Sequence, residues 1–216
     1  MPDAPEQLEP PVSDAASFAA ATGATPDQMS LIGRFQALLA DWNQRMSLVG
    51  TASLEAFWPR HALDSAQLIA LAPRARTWID IGAGAGFPGV VIAIFLKGRE
   101  GAMVDLVESQ AKKCRFLAAV VDELALPARV HNARAEALPL KGDVVTARAV
   151  APLTTLLGIA RPAMNQGAVG LFHKGAGAAA EIDEARKTWR FALESIPSRS
   201  DPTGRILKVS ELRRAR

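Results

Sequence analysis

Apolar residues between Gln28 and Trp42 recur at the spacing of an amphipathic helix. They stand at i, i+4, i+7, i+8 and i+11 and are Leu31, Phe35, Leu38, Leu39 and Trp42. A second helix is predicted from about Pro59 to Ala70, because proline is tolerated in the first turn of a helix. Both helices precede the first predicted strand, and we expect the first to pack on a face of the sheet.

From Thr77 onward the pattern changes to short buried strands that alternate with helices. The predicted strands are Thr77–Ile81, Met103–Val107, Ala128–Val130, Asp143–Ala147 and Ala168–Phe172, with helices near 88–97, 111–123, 152–161 and 178–188. This alternation predicts an α/β fold with a Rossmann-like, doubly wound and mostly parallel sheet. Two late segments, Trp189–Ser195 and Arg205–Val209, are predicted to close the sheet as an antiparallel edge.

Residues 1–26 mix Pro, Ala, Asp, Glu and Ser without apolar periodicity, which predicts a flexible or loosely helical leader. Residues 27–216 are expected to form a single domain that begins with a helical segment over 27–72. A chain of 216 residues with 49% apolar residues suits one domain of typical size.

The composition limits the partners. A single cysteine, Cys114, and three histidines leave no disulfide framework and no four-ligand zinc cluster, so no metal is expected. The start of the chain lacks the pattern of a secretory signal, and no apolar run is long enough to span a bilayer. We therefore expect a cytoplasmic, monomeric protein without a membrane partner. A net charge of +3 means that any RNA contact would use a local patch.

A glycine-rich loop follows the first predicted strand and opens the next helix, where α/β sheets commonly bind ligands. Its residues are Asp80-x-Gly82-x-Gly84-x-Gly86. Counted from Gly82, the dinucleotide pattern fails at Phe87, whereas counted from Gly84 it is satisfied, so the spacing leaves both ligand classes open. Asp80 favours a cofactor with a cationic end and no pyrophosphate, and S-adenosylmethionine has that character.

Polar residues follow the later strands as well. Glu108 ends the second strand, where a carboxylate can accept both ribose hydroxyls, and Asp105 is the competing candidate. Glu136 lies beyond the third strand, where an adenine base would be held, although it could equally be a solvated helix residue. Arg148 ends the fourth strand, at the crevice, where a functional role is favoured over a structural ion pair.

Taken together, these motifs resemble the glucose-inhibited division protein B family, the small-subunit ribosomal RNA guanine-N7 methyltransferases. The resemblance spans about residues 28–212 and is more specific than any single motif. Besides the glycine loop it rests on Arg60-His61-Ala62-Leu63-Asp64-Ser65, Glu108-Ser109-x-x-Lys112-Lys113-x-Arg115-Phe116-Leu117 and Thr146-x-Arg148-Ala149-Val150-Ala151-Pro152-Leu153.

The resemblance implies a class I methyltransferase fold and S-adenosylmethionine as cofactor. The family's cofactor-binding positions correspond here to Gly82, Phe87, Ala135, Glu136 and Arg148. The chain departs from the family pattern at Ser47-Leu48-Val49, where Asn-Leu-Thr is usual, and at Glu108, where the family commonly has Asp. The first departure could alter the fit of the substrate.

The substrate implied by the resemblance is 16S ribosomal RNA or the small ribosomal subunit particle, with methyl transfer to guanine N7. This nitrogen carries a lone pair and no proton, so an in-line displacement needs no general base. We expect Arg148 and Lys174 to position the substrate, and Arg60, His61, Lys174 and Arg205 to contact RNA. A structural pair of His61 with Asp64 is about as plausible as RNA contact.

Three other functions remain open at this stage. A methyltransferase of the same fold could act on a small molecule or a protein. A non-catalytic RNA-assembly factor could retain the cofactor pocket for structure. A nicotinamide oxidoreductase is disfavoured by Asp80 and by the position of the first glycine.

Overall fold

A computed structural model describes residues 11–215 of the chain. Its centre is a seven-stranded sheet with the order β3-β2-β1-β4-β5-β7-β6. The strands are β1 (Thr77–Ile81), β2 (Met103–Glu108), β3 (Ala128–Asn132), β4 (Val144–Arg148), β5 (Val169–Lys174), β6 (Trp189–Pro197) and β7 (Arg205–Arg214). The first five strands are parallel, and β7 runs antiparallel to both β5 and β6. This is the doubly wound sheet with an antiparallel edge that the sequence predicts.

Helices cover both faces of the sheet. They are α1 (Ala15–Thr22), α2 (Pro26–Arg45), α3 (Thr51–Glu55), α4 (Asp64–Leu71), α5 (Gly89–Leu96), α6 (Ala111–Leu124), α7 (Leu153–Met164) and α8 (Ala178–Thr188). Because side chains alternate along a strand, neighbouring residues of one strand serve different cores. In β1, Trp78 belongs to the core with α2, α5 and α6, whereas Ile79 belongs to the core with α7.

The end of the predicted leader is ordered. Oδ1 of Asp14 accepts a hydrogen bond of 2.8 Å from the backbone N–H of Ser17, and Oγ of Ser17 accepts one from the backbone N–H of Asp14. These two bonds form a capping box at the start of α1. Phe18 is completely buried and packs 5.4 Å from Trp58 and 6.4 Å from Phe95, between ring centroids. Of the two alternatives predicted for the leader, flexible or loosely helical, α1 forms a helix, and one buried aromatic residue anchors it although the segment shows no apolar periodicity. Residues 1–10 of the predicted leader lie outside the described residues.

The predicted helix from Pro59 to Ala70 is divided in the structure. A π-helical segment spans Phe57–Leu63, and α4 continues from Asp64. π-helical turns occur mostly as single turns inside α-helices and are frequent at functional sites. This segment carries two of the predicted RNA-contacting residues, Arg60 and His61. Among the helices of residues 11–215, none is both long and apolar enough to cross a membrane.

Candidate active site

The glycine loop lies at the carboxyl end of β1. Gly82, Gly84 and Gly86 all have positive φ angles, of 71°, 55° and 92°, which side chains disfavour. A Cβ atom on Gly82 would also lie 2.6 Å from Cγ2 of Val150, closer than two carbon atoms can approach. At Gly82 a side chain is thus disfavoured by the backbone conformation, and it could be accommodated only if Val150 moved.

Asp80 lies beneath this loop. It is completely buried, and its Oδ2 accepts a hydrogen bond of 2.9 Å from the backbone N–H of Gly89, the first residue of α5. Within the described residues its Oδ1 has no hydrogen-bond donor. Burial raises the pKa of Asp80 to about 7, although the bond from Gly89 acts in the opposite direction. Asp80 thus holds the start of α5 and lines neither of the two cavities described below.

Glu108, at the end of β2, joins the glycine loop to the next loop. Its Oε2 accepts from the backbone N–H of Gly84 at 3.1 Å, and its Oε1 accepts from the backbone N–H of Gln110 at 2.8 Å. An ionised carboxylate has about four acceptor positions, so two remain for the hydroxyls of a ligand. Asp105, the competing candidate, is bound instead to His131 at 2.7 Å on the sheet edge.

A small cavity of about 90 Å³ opens beside Glu108. Its wall includes Gly82, Ala135 and Glu136, and the last two lie in a single 3-10 turn after β3. Gly84, Gly86 and Phe87 do not reach this wall. The carboxylate and the open glycine backbone give the cavity the polar groups that a ribose and a base edge require.

A larger groove of about 650 Å³ lies at the carboxyl ends of β4 and β5. It contains all four of the residues predicted to contact RNA, Arg60, His61, Lys174 and Arg205, together with Arg148. Val150 belongs to the walls of both the groove and the small cavity, and 38% of its surface is exposed. Val150 therefore marks the boundary where a ligand in one cavity would meet a ligand in the other.

Arg148 connects the groove to the N-terminal helices. Its Nη1 donates to the carbonyl of Arg60 at 2.8 Å and to Oδ2 of Asp64 at 3.1 Å, and its Nη2 donates to Nδ1 of His61 at 2.7 Å. The guanidinium also lies 5.3 Å from the centre of the Phe87 ring. These contacts fix the planar group on one side and orient it at the groove wall.

His61 is neutral in this arrangement. A guanidinium only donates hydrogen bonds, so Nδ1 of His61 accepts from Arg148. Nε2 therefore carries the ring proton and donates a hydrogen bond of 2.6 Å to Oγ of Ser53. Burial, with the Arg148 charge next in importance, lowers the pKa of His61 to about 4. The ring stacks on Phe87 with centroids 4.4 Å apart. The ring is buried between Phe87, Ser53 and Arg148, and within the described residues it makes no hydrogen bond to Asp64, the partner in the structural alternative; Arg148 instead contacts both residues.

Lys174 and Glu181 form an ion pair on the wall of the groove. The Lys174 ammonium lies 2.7 Å from Oε2 of Glu181 and 2.7 Å from the carbonyl of Ala151. The same Oε2 accepts from the backbone N–H of Leu153 at 2.7 Å, at the start of α7. Lys174, which was predicted to contact RNA, thus lies at the groove with its charge paired to Glu181 beside the segment that follows β4.

The family model for GidB, rRNA small subunit methyltransferase G, matches residues 28–203. The chain belongs to this family. The ribosomal RNA small subunit methyltransferase G of Caulobacter vibrioides is 58% identical over 205 residues, which are 95% of each chain. That of Parvibaculum lavamentivorans is 46% identical over 94% of this chain and 92% of its own.

The chain also resembles solved methyltransferase structures. The SAH-bound Podospora anserina methyltransferase PaMTH1 superposes with a TM-score of 0.58 at 11% identity, over 91% of this chain and 94% of its own. At that identity the likeness concerns the fold alone. The predicted family and the predicted class I methyltransferase fold are both confirmed.

Two residues of the cavity walls, Val150 and Glu181, were not predicted as site residues. Val150 was noted only as part of a motif, and Glu181 only as a position in a helix. The acidic residue in the first turn of α8 signals no more than a favourable interaction with the helix dipole. Its bond to Leu153 joins residues 28 positions apart, which no local pattern encodes.

Proposed function

We propose that this chain transfers a methyl group from S-adenosylmethionine to N7 of a guanine in small-subunit ribosomal RNA. The observation that carries the proposal is the pair of adjoining cavities that share Val150 at the end of the sheet. One has the glycine backbone and carboxylate suited to a nucleoside, and the other is a wide groove with basic residues. The relatives' names add ribosomal RNA as the substrate class.

The residues of the small cavity suit the adenosine end of the cofactor. We assign the ribose hydroxyls to Glu108 and the adenine edge to the turn of Ala135 and Glu136. The cavity is smaller than the roughly 300 Å³ at which pockets for whole small molecules begin, so the methionine end extends toward the groove. Gly82 leaves room for the methionine end to pass, because a side chain at this position would meet Val150 and narrow the opening between the two cavities.

Asp80 and Phe87 support the site from beneath. Asp80 holds the first turn of α5, and Phe87 packs under His61 and Arg148. We propose that neither contacts the cofactor from its present position and that both fix the loop and the arginine. Arg148 then lies at the groove wall, where its orientation is set by Asp64 and His61.

When bound, S-adenosylmethionine would supply an electrophilic methyl carbon for in-line attack by the N7 lone pair, with the thioether as the leaving group. Guanine N7 has no proton to lose, so the residues of the groove need only position the base and exclude water. This suits a site in which His61 is neutral, buried and bound at both ring nitrogens. Arg60 and Arg205 are exposed at the groove and are the residues best placed for RNA phosphates.

The proposal is tested by incubating the protein and labelled S-adenosylmethionine with ribosomal RNA from cells that lack it. Naked small-subunit RNA and intact small subunits are used in parallel, and the modified nucleotide is mapped. We expect label in one guanine at N7, in at least one of the two substrates. Transfer to small molecules or proteins but to neither RNA substrate would favour the alternative methyltransferase function. Cofactor binding without any transfer would favour an assembly factor.

A further inference from the structure

The ion pair of Lys174 and Glu181 lies on the groove wall and presents two groups toward the groove. The lysine side chain is only 8% exposed, whereas the glutamate side chain is 32% exposed. Both are anchored to the segment after β4, Lys174 through the Ala151 carbonyl and Glu181 through the Leu153 N–H. The pair is therefore held beside Val150, where the two cavities meet.

Part of the hydrogen-bonding capacity of this pair is unused. All side-chain hydrogen bonds of Glu181 with the rest of residues 11–215 go through Oε2, which leaves Oε1 as a free acceptor. Lys174 places two of its three ammonium protons, on Ala151 and on Glu181, within the same described residues. A donor and an ionised acceptor thus lie side by side at the groove wall.

That order matches the edge of guanine that base pairing uses. Guanine presents its O6 acceptor next to the N1–H and 2-amino donors, whereas adenine presents an amino donor next to an acceptor nitrogen. With Lys174 facing position 6 of the base and Glu181 facing positions 1 and 2, the pair complements guanine, whereas adenine in that orientation would place its amino group against the ammonium. This edge is separate from N7, so its recognition leaves the nucleophilic lone pair free.

We propose that Glu181, aligned by Lys174, selects guanine as the acceptor base by accepting hydrogen bonds from its N1–H and 2-amino groups through Oε1. The inference rests on the proposed function and adds the group that determines the base. Glu181 also caps α7 and neutralises Lys174, so loss of activity in a variant would not by itself distinguish selection from structure. The readout must be base discrimination.

The decisive probe is small-subunit RNA in which the target guanosine is replaced by inosine, which lacks only the 2-amino group. The kcat/KM for guanosine RNA is compared with that for inosine RNA in the wild-type protein and in Glu181→Gln. We expect the wild type to prefer guanosine by about 10- to 100-fold, as expected for one bond to a charged group, and the variant to prefer it by less than about threefold. Glu184→Gln, an exposed position on the same helix, is the control and should discriminate like the wild type.

Thermal unfolding first establishes that the variants are folded, and Glu181→Asp provides a second change that keeps the charge but withdraws the carboxylate. If turnover is too slow, the same ratio is taken from competition binding of the two RNAs. Equal use of guanosine and inosine RNA by the wild type, or full discrimination in both Glu181 variants, would overturn the inference. Absence of any transfer to guanine N7 by the wild type would instead remove the proposed function.

Discussion

Replacement of Gly82 by alanine tests the junction of the two cavities, and Gly84→Ala is its matched control. Both positions have positive φ, so each alanine should cost about 1–2 kcal/mol of folding free energy in backbone strain. They differ in surroundings. A Cβ on Gly82 would lie 2.6 Å from Val150, whereas a Cβ on Gly84 would meet only the Gly82 carbonyl oxygen at an ordinary 3.6 Å.

Val150 must therefore move in Gly82→Ala. Its side chain is partly exposed, so the movement adds about 0.5–1.5 kcal/mol if the side chain leaves its preferred rotamer. Because Val150 lies on the walls of both cavities, the displaced methyl group enters space assigned to a ligand. We expect the Kd for S-adenosylmethionine to rise at least about tenfold in Gly82→Ala, equivalent to about 1.4 kcal/mol, and by less than about threefold in Gly84→Ala.

Calorimetric titration gives the Kd, and chemical denaturation gives the stability of each variant. The comparison separates backbone strain, which both variants share, from obstruction at Val150. Equal losses of cofactor affinity in the two variants would refute the argument that Gly82 is required by the proximity of Val150. An unchanged affinity in Gly82→Ala would refute the assignment of the small cavity to the cofactor.

Four further predictions concern stability and the groove. Burial raises the pKa of Asp80 to about 7, so the stability that this residue contributes is lost as pH rises from about 4 through 7. Asp80→Asn should therefore unfold at a higher denaturant concentration than the wild type at about pH 8, and the difference should be smaller at about pH 5. The pKa of His61 is lowered to about 4, so wild-type stability should fall as pH drops from 6.5 toward 4, and denaturation curves of His61→Gln should show a weaker fall. Lys174→Ala should lower kcat/KM for RNA at least about tenfold, while the Kd for the cofactor changes less than about twofold. The control is Lys187→Ala, which removes an exposed ion pair and should leave both quantities near their wild-type values in the same assays. Phe18→Ala should lower the free energy of unfolding by about 3–5 kcal/mol, and a loss below 1 kcal/mol would show that α1 is not part of the core.

The sequence predicted most of the sheet because its central strands are short and mostly buried. Most residues of β1, β2, β4 and β5 are buried, as is expected of parallel strands covered on both faces, and apolar residues predominate in these segments. The antiparallel edge of β6 and β7 was also predicted correctly. The order and bounds of elements thus follow from burial patterns that are local in the chain.

The site depends on contacts that are distant in the chain, and these could be predicted only in part. Asp80 was placed at the correct strand end, but the direction of its side chain depends on the Gly89 N–H beneath the loop. Lys174 was predicted as an RNA contact because it closely follows the fifth strand at the crevice, but its pairing with Glu181 on the following helix could not be read from the sequence. The contacts of Arg148 with Asp64 and His61 cross more than 80 residues and involve a π-helical segment that periodicity does not reveal.

The central claim is methyl transfer to guanine N7 at the junction of the two cavities. Its most direct test is nucleoside mass spectrometry of small-subunit ribosomal RNA. The RNA is taken from cells that lack the protein and from the same cells after they are supplied with the wild-type protein or with Gly82→Asp, in which the side chain blocks the loop. We predict that the wild type restores one 7-methylguanosine and that the variant does not, although the variant protein accumulates. Unchanged 7-methylguanosine in cells without the protein, or restoration by Gly82→Asp, would contradict the account.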